Sequence, residues 1–375
     1  MKAKIFKIVA NPNEKTNTAA RGDDRSRTPV ELGFRMPAEW EPQAAIWLTW
    51  PTNPELWPGF FEPLLEQYSA FVAAISHFEP VCLNCAAGTL QTQATRFLNA
   101  AKADLSAIRF FDHAANDVWC RDHGPLFVKN DATGEVALTD WIFNGWGGKF
   151  EAALDNAIPL RIAESLGMRR FAFPFELEGG AVELSGDGLL LTTECVQKNP
   201  NRSRGRDDAA FARALKNGLG VREILWISNG LANDDTDGHI DNLARFVAPR
   251  AILTSVESDR ASPNFAPLAE NLAQLRALRT PEGGEFDVLE LPLPSPFTLA
   301  GRELPPSYAN FLILNDAVLV PVYGQSGDAR ALGIIGEAFP RRKIVGLDAR
   351  IILIEGGSFH CLSQQQPAAG TTRRA

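Results

Sequence analysis

Amphipathic helix patterns recur along the chain near residues 91–104, 152–167, 206–218, 265–279 and 327–339, their starts about 55–62 residues apart. In the fourth, Leu268, Leu272, Leu275 and Leu278 fall at i, i+4, i+7 and i+10, which places them on one helix face. Each helix runs into a short stretch rich in β-branched and aromatic residues: Ile108–Phe111, Phe171–Phe175, Val221–Ile227, Phe286–Leu291 and Lys343–Leu347. Hairpin chemistry comes next, with Gly186-Asp-Gly188 and Asn315-Asp316 each set between two apolar runs. Glu178-Gly-Gly, Asp237-Gly-His239 and Glu355-Gly-Gly keep a register of roughly 59 residues, so a carboxylate and a glycine open successive units. Five units account for about 295 residues, and units that cannot bury an apolar face alone must stack. The expected fold is therefore one closed ring of α/β modules with pseudo-fivefold symmetry. A doubly wound sheet is the competing arrangement, but neither a Gly-x-Gly-x-x-Gly turn between strand and helix nor a P-loop is present.

Composition narrows the function. With 375 residues, 45% hydrophobic and 22% charged, the chain is neither collagen-like, coiled-coil nor largely disordered. Its 37 basic and 45 acidic residues give a net charge of −8, which disfavours nucleic acid or an anionic membrane as partner and favours a small cationic substrate. Five cysteines, an odd number in a long chain, fit reduced thiols and a cytoplasmic location better than a disulfide framework. No apolar run approaches the ~18–20 residues of a membrane span, and the N-terminus has no signal-peptide core. Residues 1–35 read as a flexible extension, 36–368 as a single catalytic domain and 369–375 as a tail. A homo-oligomer is left open.

If each unit starts its hairpin near a central axis, residues far apart in sequence converge there. The set is Asp122, Glu178, His239 with Asp241, Asn310 and Cys361. His239 and Asp241, two apart, share a face in an extended segment. A cysteine attacks as thiolate, and a nearby imidazole favours that form. Carboxylates beside a thiolate suit a cationic substrate, and a planar guanidinium pairs with carboxylates through its N–H forks. Trp50, Trp57, Trp119 and Trp146 lie near these segments; one or two are expected at the mouth against a cation, with Trp119 a substrate contact. Cys82, Cys85, Cys120 and Cys195 read as inert small hydrophobes, and Cys82-Leu-Asn-Cys85 lacks the second pair that a zinc site needs. His77, His113 and His360, without a patterned acidic partner, read as surface or packing residues, and His123 is undecided.

Eight ordered segments carry a family resemblance: Met36-Pro-Ala-Glu-Trp-Glu-Pro42, Asn116-Asp-Val-Trp-Cys-Arg-Asp-His-Gly-Pro125, Phe143-Asn-Gly-Trp-Gly-Gly-Lys149, Leu177-Glu-Gly-Gly180, Asn199-Pro-Asn-Arg202, Thr236-Asp-Gly-His-Ile-Asp-Asn-Leu-Ala-Arg245, Ser307-Tyr-Ala-Asn-Phe311 and His360-Cys-Leu-Ser-Gln-Gln-Gln-Pro367. In these the sequence resembles the agmatine deiminase family, grouped with bacterial-type peptidyl-arginine deiminases among guanidino-group-modifying enzymes. The resemblance implies a five-bladed α/β propeller (pentein). It also implies Cys361 as nucleophile, His239 as general acid/base, Glu178 as its carboxylate partner, and Asp122 and Asp241 as guanidinium clamps, with Trp119 and Asn310 among the substrate contacts. The implied product from agmatine is N-carbamoylputrescine, on a route to putrescine, with no metal or organic cofactor. Deimination of arginine in peptides, amidino transfer to an amine, and simple guanidine or polyamine binding are the alternatives.

Overall fold

The computed structural model describes residues 27–299 and 301–370, a mixed α/β chain built from small separate sheets. Five of the six sheets share one construction, in which two strands pair antiparallel, a helix crosses over, and the next strand adds in parallel. Leu126–Asn130, Val136–Ile142 and Arg170–Glu176 form one such set; Glu183–Leu184, Leu189–Thr193 and Glu223–Ile227 form the next. Ala244–Ala248, Ala251–Val256 and Asp287–Pro292 follow, then Leu312–Ile313, Ala317–Val322 and Lys343–Asp348. In the fifth, Ser363–Pro367 from the end of the chain pairs antiparallel with Gln43–Thr49, which pairs in parallel with Val81–Asn84, so the two chain ends complete one sheet. The sixth sheet is a hairpin, Phe297–Leu299 with Arg302–Leu304. No sheet closes on itself among the described residues.

The five helices fall where the sequence pattern placed them, at Thr89–Ala100, Ile158–Leu166, Asp208–Leu219, Phe265–Ala277 and Asp328–Ala338. Asp208–Leu219 shows the local logic. The Asp207 carboxylate accepts from the Ala209 and Ala210 amides, capping donors that the first turn leaves free. Phe211, Ala214, Leu215, Gly218 and Leu219 form its buried stripe.

Two expectations need correction. The repeating helix of the fifth unit is Phe61–Ser76, which the periodicity did not single out because it is buried on more than one side, through Leu64, Leu65, Tyr68, Phe71, Val72 and Ile75. Thr89–Ala100 and Ile108–Phe111 are therefore an additional helix and edge strand on that unit, not its repeat members. The extension expected over residues 1–35 lies outside the described residues up to residue 26, and its last stretch is docked. Phe34–Arg35 pairs antiparallel with Leu126–Asn130, and the buried Phe34 ring meets Phe171 edge-on at 5.8 Å. Arg35 donates to Asp131 Oδ2 at 2.7 Å, to Glu41 Oε1 at 2.6 Å and to the Gly186 carbonyl at 3.0 Å.

Phe34→Ala removes a buried ring and leaves a cavity, so equilibrium urea unfolding should show a loss of about 3 kcal/mol. A loss below about 1 kcal/mol would mean that this strand adds little to the body of the protein.

Candidate active site

The connecting turns of different units bring the expected residues together. Cys361 lies between the 3₁₀ turn Ile352–Glu355 and the strand Ser363–Pro367. Its buried sulfur receives a hydrogen bond from Asn310 Nδ2 at 3.0 Å and lies 3.4 Å from Asp241 Oδ2, while its amide donates to Asn310 Oδ1 at 3.3 Å. Asn310 thus holds the Cys361 side chain and backbone and is not among the residues lining the pocket. Asp122 sits in the one-turn helix Cys120–His123; Oδ1 accepts from the Gly180 amide at 2.9 Å and Oδ2 from the Trp146 indole at 3.0 Å. His239 is fully buried at the start of the turn Ile240–Asn242, with Nδ1 3.6 Å from Asp122 Oδ1 and neither ring nitrogen hydrogen-bonded among the described residues.

Gly180 makes this convergence sterically feasible. A Cβ there would come within 2.6 Å of His239 Nδ1, 2.8 Å of Asp122 Oδ1 and 3.1 Å of Asp241 Oδ2, so only glycine lets three units meet without displacing a functional atom. At Gly357 the second glycine of the related Glu355-Gly-Gly segment allows the Trp119 ring to pass, 2.4 Å from the position of a Cβ. Trp119 and Trp146 line a pocket that also reaches Asp122 and Cys361. Trp57, 6.3 Å from Trp119, backs the wall, and Trp50 is core.

The pocket is acidic. Besides Asp122 it is lined by Asp117, Asp234, Asp235 and Glu355, with Arg302 at the rim paired to Asp235 at 3.2 Å and Glu355 at 3.0 Å. Burial pushes Asp117 up to about 8 and Glu355 up to about 7. Asp122 is raised to about 6, chiefly by burial, with Asp241 and Glu178 adding to it and His239 opposing. Burial alone would lower His239, but Asp122, Glu178, Asp241 and Asp234 outweigh it and hold the imidazole above its ordinary range. Burial also works against the Asp241 charge, yet the hydrogen bond and charge of His360 keep that carboxylate below its usual value. Burial, then the charges of Asp241 and Asp122, push the Cys361 thiol far up.

Glu178, expected as the carboxylate partner of His239, makes no hydrogen bond to it among the described residues. Its Oε1 accepts from Arg202 Nε at 2.8 Å, and Arg202 also pairs with Asp237, so Glu178 acts on the imidazole through space. The carboxylates of the repeat signature do gather here: Glu178 beneath the site, Asp237 on Arg202 and on Lys149 at 2.8 Å, Glu355 on the pocket wall. His360 is the clearest correction. Expected as a surface or packing residue, it is buried between two carboxylates, Nδ1 2.8 Å from Asp241 Oδ2 and Nε2 3.0 Å from Glu39 Oε2. Its partners come from other units, which no local pattern reveals. His113 does pack internally, against Asn84 and Ser165, His77 is exposed, and His123 is buried against the Phe143 ring. Cys82, Cys85, Cys120 and Cys195 are free thiols raised by burial, as inert cysteines should be. Arg202 and Glu39 lie in the eight ordered segments but gained no role from sequence, because each acts on another side chain; Trp146, one of the tryptophans expected near the mouth, does line the pocket.

Glu39, Glu183 and His360 cluster as three metal ligands might, but their lone pairs are taken. Arg245 spans Glu39 and Glu183, the Ile313 amide donates to Glu39 Oε1 at 2.7 Å, and the Phe246 amide to Glu183 Oε1 at 3.0 Å. A guanidinium fills the place a metal would need.

Small α/β sheets in tandem thus carry a thiol and a carboxylate into an acidic pocket, with an imidazole and a second carboxylate buried against them. The chain belongs to the Porphyromonas-type peptidyl-arginine deiminase family, whose pattern matches residues 35–367. It is 36% identical to an agmatine deiminase of Pseudomonas aeruginosa, covering 91% of this chain and 97% of that protein, and 34% identical, with the same coverage, to one of Ectopseudomonas mendocina. The solved agmatine deiminase of Enterococcus faecalis superposes with a TM-score of 0.85 at 32% identity, covering 91% of this chain and 98% of that one.

A thiol raised this far should be alkylated slowly at neutral pH. Iodoacetamide labelling of Cys361 without substrate should accelerate about tenfold per pH unit between roughly pH 7 and 9, since the thiolate fraction rises in proportion. A plateau below about pH 8 would show instead a thiolate already formed in the free protein.

Proposed function

We propose that this chain is an agmatine deiminase, converting agmatine and water to N-carbamoylputrescine and ammonia through a covalent intermediate on Cys361. The observation that carries the reading is the Cys361 sulfur held between the Asn310 amide and the Asp241 carboxylate, with Asp122 and the unpartnered His239 alongside. Two buried carboxylates beside a thiol repel a thiolate, and a bound guanidinium reverses that by supplying positive charge. Asp122 and Asp241 grip its N–H groups and lower the thiol's pKa through the cation they hold. The Cys361 thiol releases its proton to solvent and the thiolate bonds to the guanidinium carbon, one electron pair of the C–N π system moving onto nitrogen. His239, kept protonated by the surrounding carboxylates, delivers its proton to the nitrogen that leaves as ammonia. In the second half, His239 takes a proton from water as its oxygen bonds to the same carbon, and the sulfur departs with its electron pair and takes up the proton of that hydroxyl, which leaves the neutral carbamoyl product, the Cys361 thiol and a protonated His239.

Agmatine suits this pocket better than arginine. Both of its ends are cationic and it has no carboxylate to meet Asp117, Asp234 and Glu355. The five sheets of one construction, completed by the two chain ends, support a five-bladed α/β propeller with pseudo-fivefold symmetry. Five free cysteines support a cytoplasmic location. Residues 36–368 act in this reading as one catalytic domain.

Ammonia release from agmatine, free arginine and an arginyl peptide, assayed side by side, tests the substrate. Agmatine should give the highest kcat/KM, and a preference for the peptide would replace this reading with peptidyl-arginine deimination. Asp122→Asn and Asp241→Asn each keep shape and remove one charge, at a cost of about 2–4 kcal/mol of transition-state stabilisation, roughly a 30- to 1,000-fold loss in kcat/KM. A folded variant retaining more than about a third of the activity would remove that carboxylate from the guanidinium site. Cys361→Ser should release no ammonia while keeping its circular dichroism spectrum.

A further inference from the structure

Three buried charged residues lie behind the reacting groups with no part in the steps above: His360, Glu39 and Arg245. Both ring nitrogens of His360 face carboxylate oxygens, Asp241 Oδ2 at 2.8 Å and Glu39 Oε2 at 3.0 Å. Ionised carboxylates only accept, so each ring nitrogen of His360 is placed to donate to one. Glu39 is itself fixed, by Arg245 and by the Ile313 amide, and Arg245 is fixed by Glu183 and by the Ala309 and Phe311 carbonyls. Asp241 Oδ2 is thereby committed to His360 and the Cys361 sulfur, while Oδ1 is buried with no hydrogen-bond partner among the described residues. An unpaired buried carboxylate oxygen is costly unless a ligand satisfies it.

We propose that His360 is a positioning residue: braced by Glu39, it clamps Asp241 through Oδ2 so that Oδ1 is presented to the guanidinium. The proposal rests on the pocket being a guanidinium site. Among the influences on Asp241, the His360 hydrogen bond and charge come directly after burial and oppose it, ahead of His239 and Arg245. Arg121, Asp122, Asp234 and Cys361 also interact with the Asp241 charge and remain when His360 is replaced. Without the His360 hydrogen bond and charge, burial is opposed less and Asp241 keeps its proton to higher pH. The acidic limb of kcat/KM therefore moves upward, a change that a merely structural role for His360 would not produce.

The experiment compares kcat/KM from about pH 5 to 9 for the unaltered enzyme, His360→Ala and His360→Asn, with circular dichroism on each. The Asn amide can donate where Nδ1 did but carries no charge. His360→Ala should lose about thirtyfold or more at pH 8 with its acidic limb raised by about half a unit or more, and His360→Asn should recover about tenfold of the loss. A folded His360→Ala enzyme with more than about a third of the activity, or a loss with an unmoved limb and no recovery in His360→Asn, overturns the proposal. If His360→Ala does not fold, Glu39→Gln takes its place: a raised limb supports the brace and an unmoved limb overturns it. Ratios are taken on whichever of agmatine, arginine or arginyl peptide the unaltered enzyme turns over best. Failure on agmatine alone therefore overturns the substrate reading and leaves His360 to be judged on another guanidine, whereas failure on all three overturns both.

Discussion

Two buried carboxylates face one buried thiol, and the rest of the structure answers that arrangement. Asp122 and Asp241 raise the Cys361 pKa on top of burial, so the resting sulfur is a thiol and a poor nucleophile. The same carboxylates raise His239 and keep it protonated. Only a cation placed between them relieves both conditions, because it stabilises the thiolate while leaving the imidazolium able to donate. In the proposed reaction, reactivity is thus tied to the substrate's own charge, and a neutral molecule entering the pocket meets a dormant sulfur.

Assembling such a site requires long-range order rather than local pattern. Asp122, Glu178, His239 and Cys361 come from four different connections between strands, and the approach is close enough that a methyl group at Gly180 would collide with His239 and Asp122 and crowd Asp241. The site is held by a second layer of buried charge. Arg202 pairs with Glu178 and Asp237; Arg245 pairs with Glu39 and Glu183; His360 joins that second group to Asp241. Burying each charge is costly and leaving one without its partner costs more, which explains why the network is nearly saturated with hydrogen bonds. Among the described residues, both nitrogens of His239 and Oδ1 of Asp241 are buried without a hydrogen-bond partner, close to the Cys361 sulfur.

The sequence made the repeat legible because an amphipathic helix and a short strand announce themselves through local spacing; Asp208–Leu219 with its Asp207 cap and Gly220 stop is readable from residues alone. Phe61–Ser76 escaped because burial on several sides erases the one-faced stripe. Cys361, His239, Asp122 and Asp241 stood out as chemically unusual company at the hairpin starts, and the structure does bring them together. His360 did not stand out. Its carboxylates come from residues 119 and 321 positions away, and an imidazole without a nearby acid looks inert until the fold supplies one. Glu178 shows the reverse case: its place beneath the site was legible, but the Arg202 that takes its hydrogen bond was not.

The central claim, that a gripped guanidinium activates Cys361 for covalent attack, is tested most directly by rapid acid quench of the enzyme during turnover of agmatine, followed by mass spectrometry of the intact protein and its peptides. The account predicts a transient adduct of agmatine less ammonia, confined to the peptide bearing Cys361, that forms no more slowly than the enzyme turns over and decays as ammonia release ceases. Turnover with an unmodified Cys361 at every quench time, together with undiminished ammonia release by folded Cys361→Ser, would contradict it.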